Sequence, residues 1–241
     1  DTKTSGLAPV PSKEINGLVY VGQEASEAAA SPLDAIPKII PDNYELVEID
    51  EMDVDANWKL YIESSFEGYH IRSKHTQTFF PVQYDNLTVV EGFGANSRVT
   101  FPYKTIEKLR TKPQEDWSLD GRLTQLYRLF PNVVVSTFPN CLQVVVLEPL
   151  GLERTRQHTY LLGRVAEGTD EKRKAMAASI SKGQEFAKTG AIEDRKVVMS
   201  AQQGLNSGAT EHLTFGLFES AIRRLHAGLQ RARVTSICFQ T

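Results

Sequence analysis

The sequence predicts an α+β domain in which an antiparallel sheet is covered by helices. Three observations lead there. Short strand-like runs crowd the first two thirds of the chain, helical patterning takes over after residue 170, and no segment repeats. The runs are Leu87–Val90, Arg98–Tyr103, Val133–Phe138, Leu142–Leu147 and Thr155–Leu162. Glu148–Arg154, which contains a proline and a glycine, reads as the hairpin connection between the last two. Tyr44–Asp55 alternates acidic and apolar residues as a half-exposed strand does, and the mixed pattern of Asn57–Tyr69 suggests a strand turning into helix near Ile62. Asp170 can cap a helix through Glu171–Lys188, and a second helical stretch, Ile192–Gln203, meets a suitable stop at Gly204. Phe215, Phe218, Ile222, Leu225 and Leu229 then recur at spacings of 3, 4, 3 and 4, a single apolar stripe.

Upstream, residues 1–14 are polar, Ile15–Gly22 reads as one short apolar strand, and Gln23–Pro37 as a connector rich in Ala, Ser and Glu. Pro37 and Pro41 punctuate the chain, so a boundary near residue 40 divides residues 1–40 from a domain over 41–241. A net charge of −3 gives no electrostatic case for a nucleic-acid partner. The local excess of Arg223, Arg224, Arg231 and Arg233 over Glu219 is read as a solvated helix face. No apolar run approaches the roughly 20 residues that cross a bilayer, and no signal peptide is evident, so no membrane partner is expected. Cys141 and Cys238 are too few for a disulfide framework and form no CxxC pair, which suits a reducing, cytoplasmic setting.

The chain has five histidines, and two of them lie five apart in Glu67-Gly-Tyr-His70-Ile-Arg-Ser-Lys-His75. On a straight helix that spacing is about 140° of rotation, so a shared ligand requires the helix to distort or end between them. Glu67 and His70, three apart, share a face. By itself H-x4-H fits either a metal pair or a buried His70 beside a surface His75. His158, His212 and His226 sit in settings that suggest structural or solvated roles.

The surrounding string says more. Asn57-Trp58-Lys59, Glu63, and Glu67-x-Tyr69-His70-x4-His75 resemble the mononuclear-iron motif of the Rieske-type ring-hydroxylating oxygenase α subunits. Ile192-Glu193-Asp194, Gln202-Gln203-Gly204-Leu205, Phe138-Pro139-Asn140 and Gly216-Leu217-Phe218-Glu219 resemble later landmarks of that family, so the likeness extends over about Tyr44–Leu229. One departure is Ser64, where the family usually has Asn after the Glu. The resemblance implies a helix-grip fold and a mononuclear non-haem Fe(II) held by His70, His75 and Asp194. Glu193 is the alternative third ligand, because adjacent acids are not ranked by physics alone. Two imidazoles and one carboxylate on one face of the metal leave the opposite face open for O2 and substrate. Glu67 corresponds to the carboxylate that joins a metal-bound histidine to a cluster-bound histidine of a neighbouring subunit.

The resemblance also implies a small organic, chiefly aromatic, substrate. Electrons would come from NAD(P)H through a reductase or ferredoxin and a Rieske [2Fe–2S] cluster, in a homotrimer or α3β3 assembly. Ring dihydroxylation, monohydroxylation and attack on an N-methyl or quaternary ammonium group all use such a site. A cationic substrate would want an aromatic cage, for which Tyr69, Phe79, Phe80 and Tyr103 are candidates; Phe79, Phe80, Phe215 and Phe218 could line an apolar pocket. The C-x-H and C-x-x-H pairs of a Rieske cluster are not in these 241 residues. Ile15–Gly22 resembles the closing strand of a Rieske domain, so the cluster is expected on a segment upstream of Asp1. The rival of another class is a metal-free helix-grip module that carries an apolar ligand.

Overall fold

A computed structural model describes residues 10–15, 17–21, 35–209 and 212–234. Most of the connector expected at 23–37, and Cys238, lie outside them. The described chain opens with a hairpin of β1 (Ser12–Ile15) and β2 (Leu18–Val21). The single strand expected over Ile15–Gly22 is therefore two arms. Gly17, at φ 78°, lies in the reversal between them, in a conformation that a side chain would strain.

The main sheet is built from β3 (Tyr44–Val54), β4 (Val89–Phe93), β5 (Asn96–Pro102), β6 (Leu123–Leu129), β7 (Val133–Phe138), β8 (Cys141–Pro149) and β9 (Thr155–Arg164). Its seven strands run in the order β3-β9-β8-β7-β6-β5-β4, every neighbour antiparallel. Each expected run became a strand with shifted ends. Strand β6 was not expected, and its composition explains why. One face carries Leu123, Gln125, Tyr127 and Leu129 and the other Thr124, Leu126 and Arg128, so polar and apolar residues mix on both sides and no period of two shows.

Among the described residues four α-helices accompany the sheet: α1 (Trp58–Ser65), α2 (Ile71–Lys74), α3 (Asp170–Asn206) and α4 (Ser220–Val234). Helix α1 starts at once, without the strand expected before Ile62, because Asn57 Oδ1 accepts from Lys59 N at 3.1 Å and caps it. The two helices expected between 171 and 203 are one helix of 37 residues, capped by Thr169 rather than Asp170 and continuous past Gly204. Phe215 and Phe218 precede α4, so only the later part of the apolar stripe is helical. Arg223, Arg224 and Arg231 are exposed, as a solvated face requires. Among the described residues no helix is long and apolar enough to cross a membrane.

The sheet has two buried faces. On the front, Val99, Phe101, Val134, Val145 and Leu147 pack with Ile62 and Phe66 of the α1 segment and with Ala221 and Leu225 of α4. On the back, Tyr127, Leu129, Val135, Leu142 and Val144 pack with Ile36 and Ile39, and with half-buried Ile15, Leu18 and Tyr20. The long helix α3 lies against β8, β9, α1 and α2, giving the helix-gripping sheet expected.

Close approach at the middle of α3 sets the position of its neighbours. A Cβ on Gly190 would fall 2.5 Å from Cε2 and Cζ of Phe79. The Phe79 ring is in turn held edge-on between His75 (4.6 Å between centroids) and Phe186 (4.9 Å). Helix propensity alone would favour alanine at 190 by about 1 kcal/mol. The steric conflict should dominate, so Gly190→Ala is expected to lower the unfolding free energy by about 1–3 kcal/mol in urea titrations. A gain in stability would contradict this packing.

Candidate metal centre

His70 and His75 bracket α2 rather than lying within it. His70 is its N-cap (φ −78°, ψ −15°) and His75 its C-cap (φ −96°, ψ 41°). The single helical turn between them, with departure from helical geometry at His75, overcomes the rotation that a straight helix would impose. Their Nε2 atoms come within 3.1 Å. Asp194 reaches the same point from the middle of α3, its Oδ1 lying 3.2 Å from His70 Nε2 and 2.9 Å from His75 Nε2.

What stands behind the rings fixes which atoms face this point. His70 Nδ1 contacts Glu67 Oε1, and His75 Nδ1 lies 2.8 Å from Glu193 Oε2. A carboxylate only accepts, so each Nδ1 carries the proton and donates. In neutral rings both Nε2 lone pairs then point inward, toward an oxygen that is also an acceptor. Three acceptors converge with no donor among them.

Such a cluster asks for a cation. Three bonds of about 2.1 Å at right angles separate donor atoms by about 3.0 Å, whereas tetrahedral angles spread them to about 3.4 Å. The observed 2.9, 3.1 and 3.2 Å match one face of an octahedron. These are the described residues able to hold a metal ion together, and two imidazoles with one carboxylate form the donor set of non-haem Fe(II) sites with open positions.

Without a metal, a proton is the available substitute. Burial pushes His70 toward the neutral form, but its bonds to Asp194 and Glu67 outweigh that and raise its pKa to about 9. Burial likewise opposes ionisation of Asp194, yet the two imidazoles hold its pKa below the usual value. Burial, with the Asp194 charge adding to it, pushes the Tyr61 phenol up and keeps it neutral beside them.

The structure separates the roles of the adjacent acids. Asp194 faces the central point, while Glu193, the alternative ligand, turns to His75 Nδ1 and also accepts from Thr78 Oγ1 at 2.6 Å. Glu67 binds its i+3 neighbour as expected, and also accepts from Tyr69 N. Thr78 and the bracing role of Glu193 were not foreseen; the sole sequence signal was a threonine three residues past His75 and a second acid beside Asp194. Ser64, at the departure from the family pattern, donates to Tyr61 O at 3.0 Å and so turns back onto its own helix.

Beside the three donors lies a cavity of about 90 Å³ whose apolar wall includes Tyr61, Ile71, Phe79, Phe101, Leu126 and Phe138. Of the aromatic residues proposed for a pocket or cage, Phe79 alone joins this wall. Phe80 lies under Lys104 and Arg72, and Tyr103 bonds Thr124 Oγ1 at 2.6 Å. Tyr69 packs on Phe218 and accepts from its N–H at 3.2 Å, while Phe215 lies beside His226. The other histidines stay away from the centre. His158 pairs across strands with Glu51 and Glu148, His226 pairs with Glu63 at 2.8 Å, and His212 is exposed.

A sheet gripping a long helix, with two histidines and a carboxylate beside a cavity over its front face, is the architecture of an iron-dependent oxygenase domain. The chain belongs to the ring-hydroxylating α-subunit family, matching its catalytic-domain description over residues 41–233. It is 26% identical over 151 residues to a putrescine 2-hydroxylase from Ralstonia nicotianae (strain ATCC BAA-1114 / GMI1000), a match covering 58% of this chain and 41% of that protein. Its fold is similar to that of a quaternary ammonium Rieske monooxygenase, with a TM-score of 0.66, 17% identity, and coverage of 96% of this chain and 63% of that one. Dicamba monooxygenase bound to dicamba gives a TM-score of 0.59 at 12% identity, over 94% of this chain and 70% of that one. The chain thus spans less than two thirds of the length of the hydroxylase and of the quaternary ammonium enzyme. Rieske oxygenases use a mononuclear iron together with a Rieske cluster.

In metal-free protein the His70 ring should titrate near pH 9, followed by NMR of its ring protons. Because that pKa is raised, its contribution to stability is complete below the unfolded value of about 6.5 and is lost as pH rises through about 9. Urea midpoints should accordingly decline across this window. A ring that titrates below 6.5 would contradict the convergence of acceptors.

Proposed function

We propose that this chain is the catalytic part of a Rieske-type terminal oxygenase, with Fe(II) held by His70, His75 and Asp194. The observation carrying the reading is the meeting of three acceptor atoms 2.9–3.2 Å apart, with both imidazoles oriented from behind by carboxylates. The iron, when bound, supplies reduction of O2 at positions that the protein leaves open. Glu67 and Glu193 keep the proton on each Nδ1, which makes the rings more basic toward the metal. Tyr61, Phe79, Phe101 and Phe138 keep water from the reacting volume and seat the substrate's apolar body. The reaction proposed is hydroxylation of a small organic, chiefly aromatic, molecule.

Residues 1–40 are proposed as the closing hairpin and linker of a Rieske domain, a role supported by the docking of Ile15, Leu18, Ile36 and Ile39 onto the back of the sheet. Electrons would arrive from NAD(P)H through a reductase or ferredoxin and a [2Fe–2S] cluster. Glu67, half-buried behind His70, would carry the link to a neighbouring subunit in a homotrimer or α3β3 assembly. A cytoplasmic location fits the unpaired, buried Cys141.

Iron analysis of anaerobically reconstituted protein tests the centre. One Fe(II) per chain is expected, and its nitric oxide adduct should give the electron paramagnetic resonance signal of a high-spin site. His75→Ala should abolish uptake while the circular dichroism spectrum is retained. Because His75 is buried, Glu193→Gln serves as the gentler variant, with metal affinity expected to fall about 10- to 100-fold. Affinity should also rise about tenfold per pH unit between about 6.5 and 9, since binding displaces the proton on His70. Wild-type protein that takes up no iron would favour the metal-free binding module instead.

A further inference from the structure

The cavity has a second polar feature that the oxygen chemistry leaves unused. Ser136 on β7 and Gln143 on β8 are direct cross-strand partners, and both side chains line the cavity. Neither has a hydrogen-bond partner among the described residues. Both are half-buried rather than sealed, so they stay open to whatever occupies the space.

Apart from the Tyr61 phenol, which burial keeps neutral, the other polar groups of the wall are committed. Gln83 Nε2 donates to Thr124 Oγ1 at 3.1 Å, and Ser64 and Ser65 both donate to Tyr61 O, at 3.0 and 2.8 Å. Glu67 and Asp194, the wall's two carboxylates, are taken up by imidazoles. No lysine or arginine lines the cavity. Away from the donor cluster a carboxylate guest would therefore meet no lysine or arginine, and an ammonium guest no carboxylate that an imidazole does not already hold. Burying an ion unpaired is costly, whereas a neutral polar group needs only a hydrogen-bond partner.

We propose that Ser136 and Gln143 form the polar end of the substrate site, and that the substrate is an uncharged molecule bearing an amide or similar neutral group. The Gln143 side chain offers a carbonyl acceptor and an N–H donor side by side, the complement of another amide. The Ser136 hydroxyl can add a bond in either direction. The apolar body would lie against Phe79, Phe101 and Phe138. This inference rests on the cavity being the substrate site of the proposed oxygenase.

Isobutyramide, isobutyrate, isobutylamine and tetramethylammonium, with cyclopentane as an apolar reference, separate the possibilities. Binding to the metal-free chain can be followed by amide chemical shifts in NMR titrations, which removes direct ligation by iron. Isobutyramide should bind roughly tenfold more tightly than any of the three ions. Gln143→Leu and Ser136→Ala should each weaken isobutyramide roughly five- to tenfold without weakening cyclopentane. Both variants should retain full iron uptake, since neither residue belongs to the donor group or its bracing carboxylates. Tighter binding of an ion, or variants that leave isobutyramide unaffected, would overturn the inference even where iron binds normally. Absence of iron from the wild type would instead remove the oxygenase reading, and the description of the guest as a substrate with it.

Discussion

The arrangement depends on two carboxylates that do not themselves face the central point. Glu67 and Glu193 each hold a proton on the outer nitrogen of a histidine, and this turns the inner lone pairs toward Asp194 Oδ1. Without them either ring could adopt the other tautomer and donate to Asp194, and the cluster would become an ordinary hydrogen-bond network. With them, only a metal ion or an extra proton satisfies all three inner atoms. The raised pKa of His70 expresses the same electrostatics in the absence of a metal.

Holding three atoms to within a few tenths of an ångström across the fold requires rigid supports. The two histidines are fixed relative to each other by the short turn of α2, whose backbone bonds include His75 N to Ile71 O at 3.0 Å. Asp194 and Glu193 are carried by the long, uninterrupted α3, which keeps their relative directions constant. The junction of α1 with α3 is tied by Asn57 N donating to Gln202 Oε1 at 2.9 Å, and Gln202 is itself buried. Asn57 also donates through Nδ2 to Leu152 O at 2.7 Å, so the same residue caps α1 and joins it to the β8–β9 turn. The Asn57-Trp58-Lys59 and Gln202-Gln203-Gly204-Leu205 strings that mark the family are therefore brought together here, remote in sequence but joined by one bond.

Much of this was legible from residues alone, and the exceptions have specific causes. Strand-like runs announced the sheet because β-branched residues cluster in them, but β6 mixes polar and apolar side chains on both faces and was silent. Two helices were expected where one exists, since Thr189-Gly190-Ala191 reads locally as a break. The glycine is instead needed for the approach of Phe79, a tertiary fact with no local signature. The H-x4-H spacing is ambiguous until the chain ends a helix between its histidines, and only the surrounding string pointed to convergence. Nothing local could rank Glu193 against Asp194, because successive helix residues point about 100° apart, and which of them faces the histidines depends on the rotation of α3. The cavity wall was least legible. Ser136 and Gln143 are ordinary strand residues until register makes them neighbours.

Charge accounting connects the centre to the cavity. Glu67, Glu193 and Asp194 bring three negative charges around two imidazoles, within a chain whose net charge is also −3. A divalent ion would leave this group at about −1, and a single added proton at about −2, so a divalent metal answers the local charge better than protonation does. The carboxylates are also spent on the imidazoles, which leaves none for a guest. The wall away from the donor cluster carries no charged side chain, and selectivity there rests on apolar contact and on the hydrogen bonds of Ser136 and Gln143. The carboxylates are thus gathered at one end of the cavity: two behind the rings and one among the donor atoms strengthen the hold on a cation, and each is already engaged by an imidazole rather than left free for a guest.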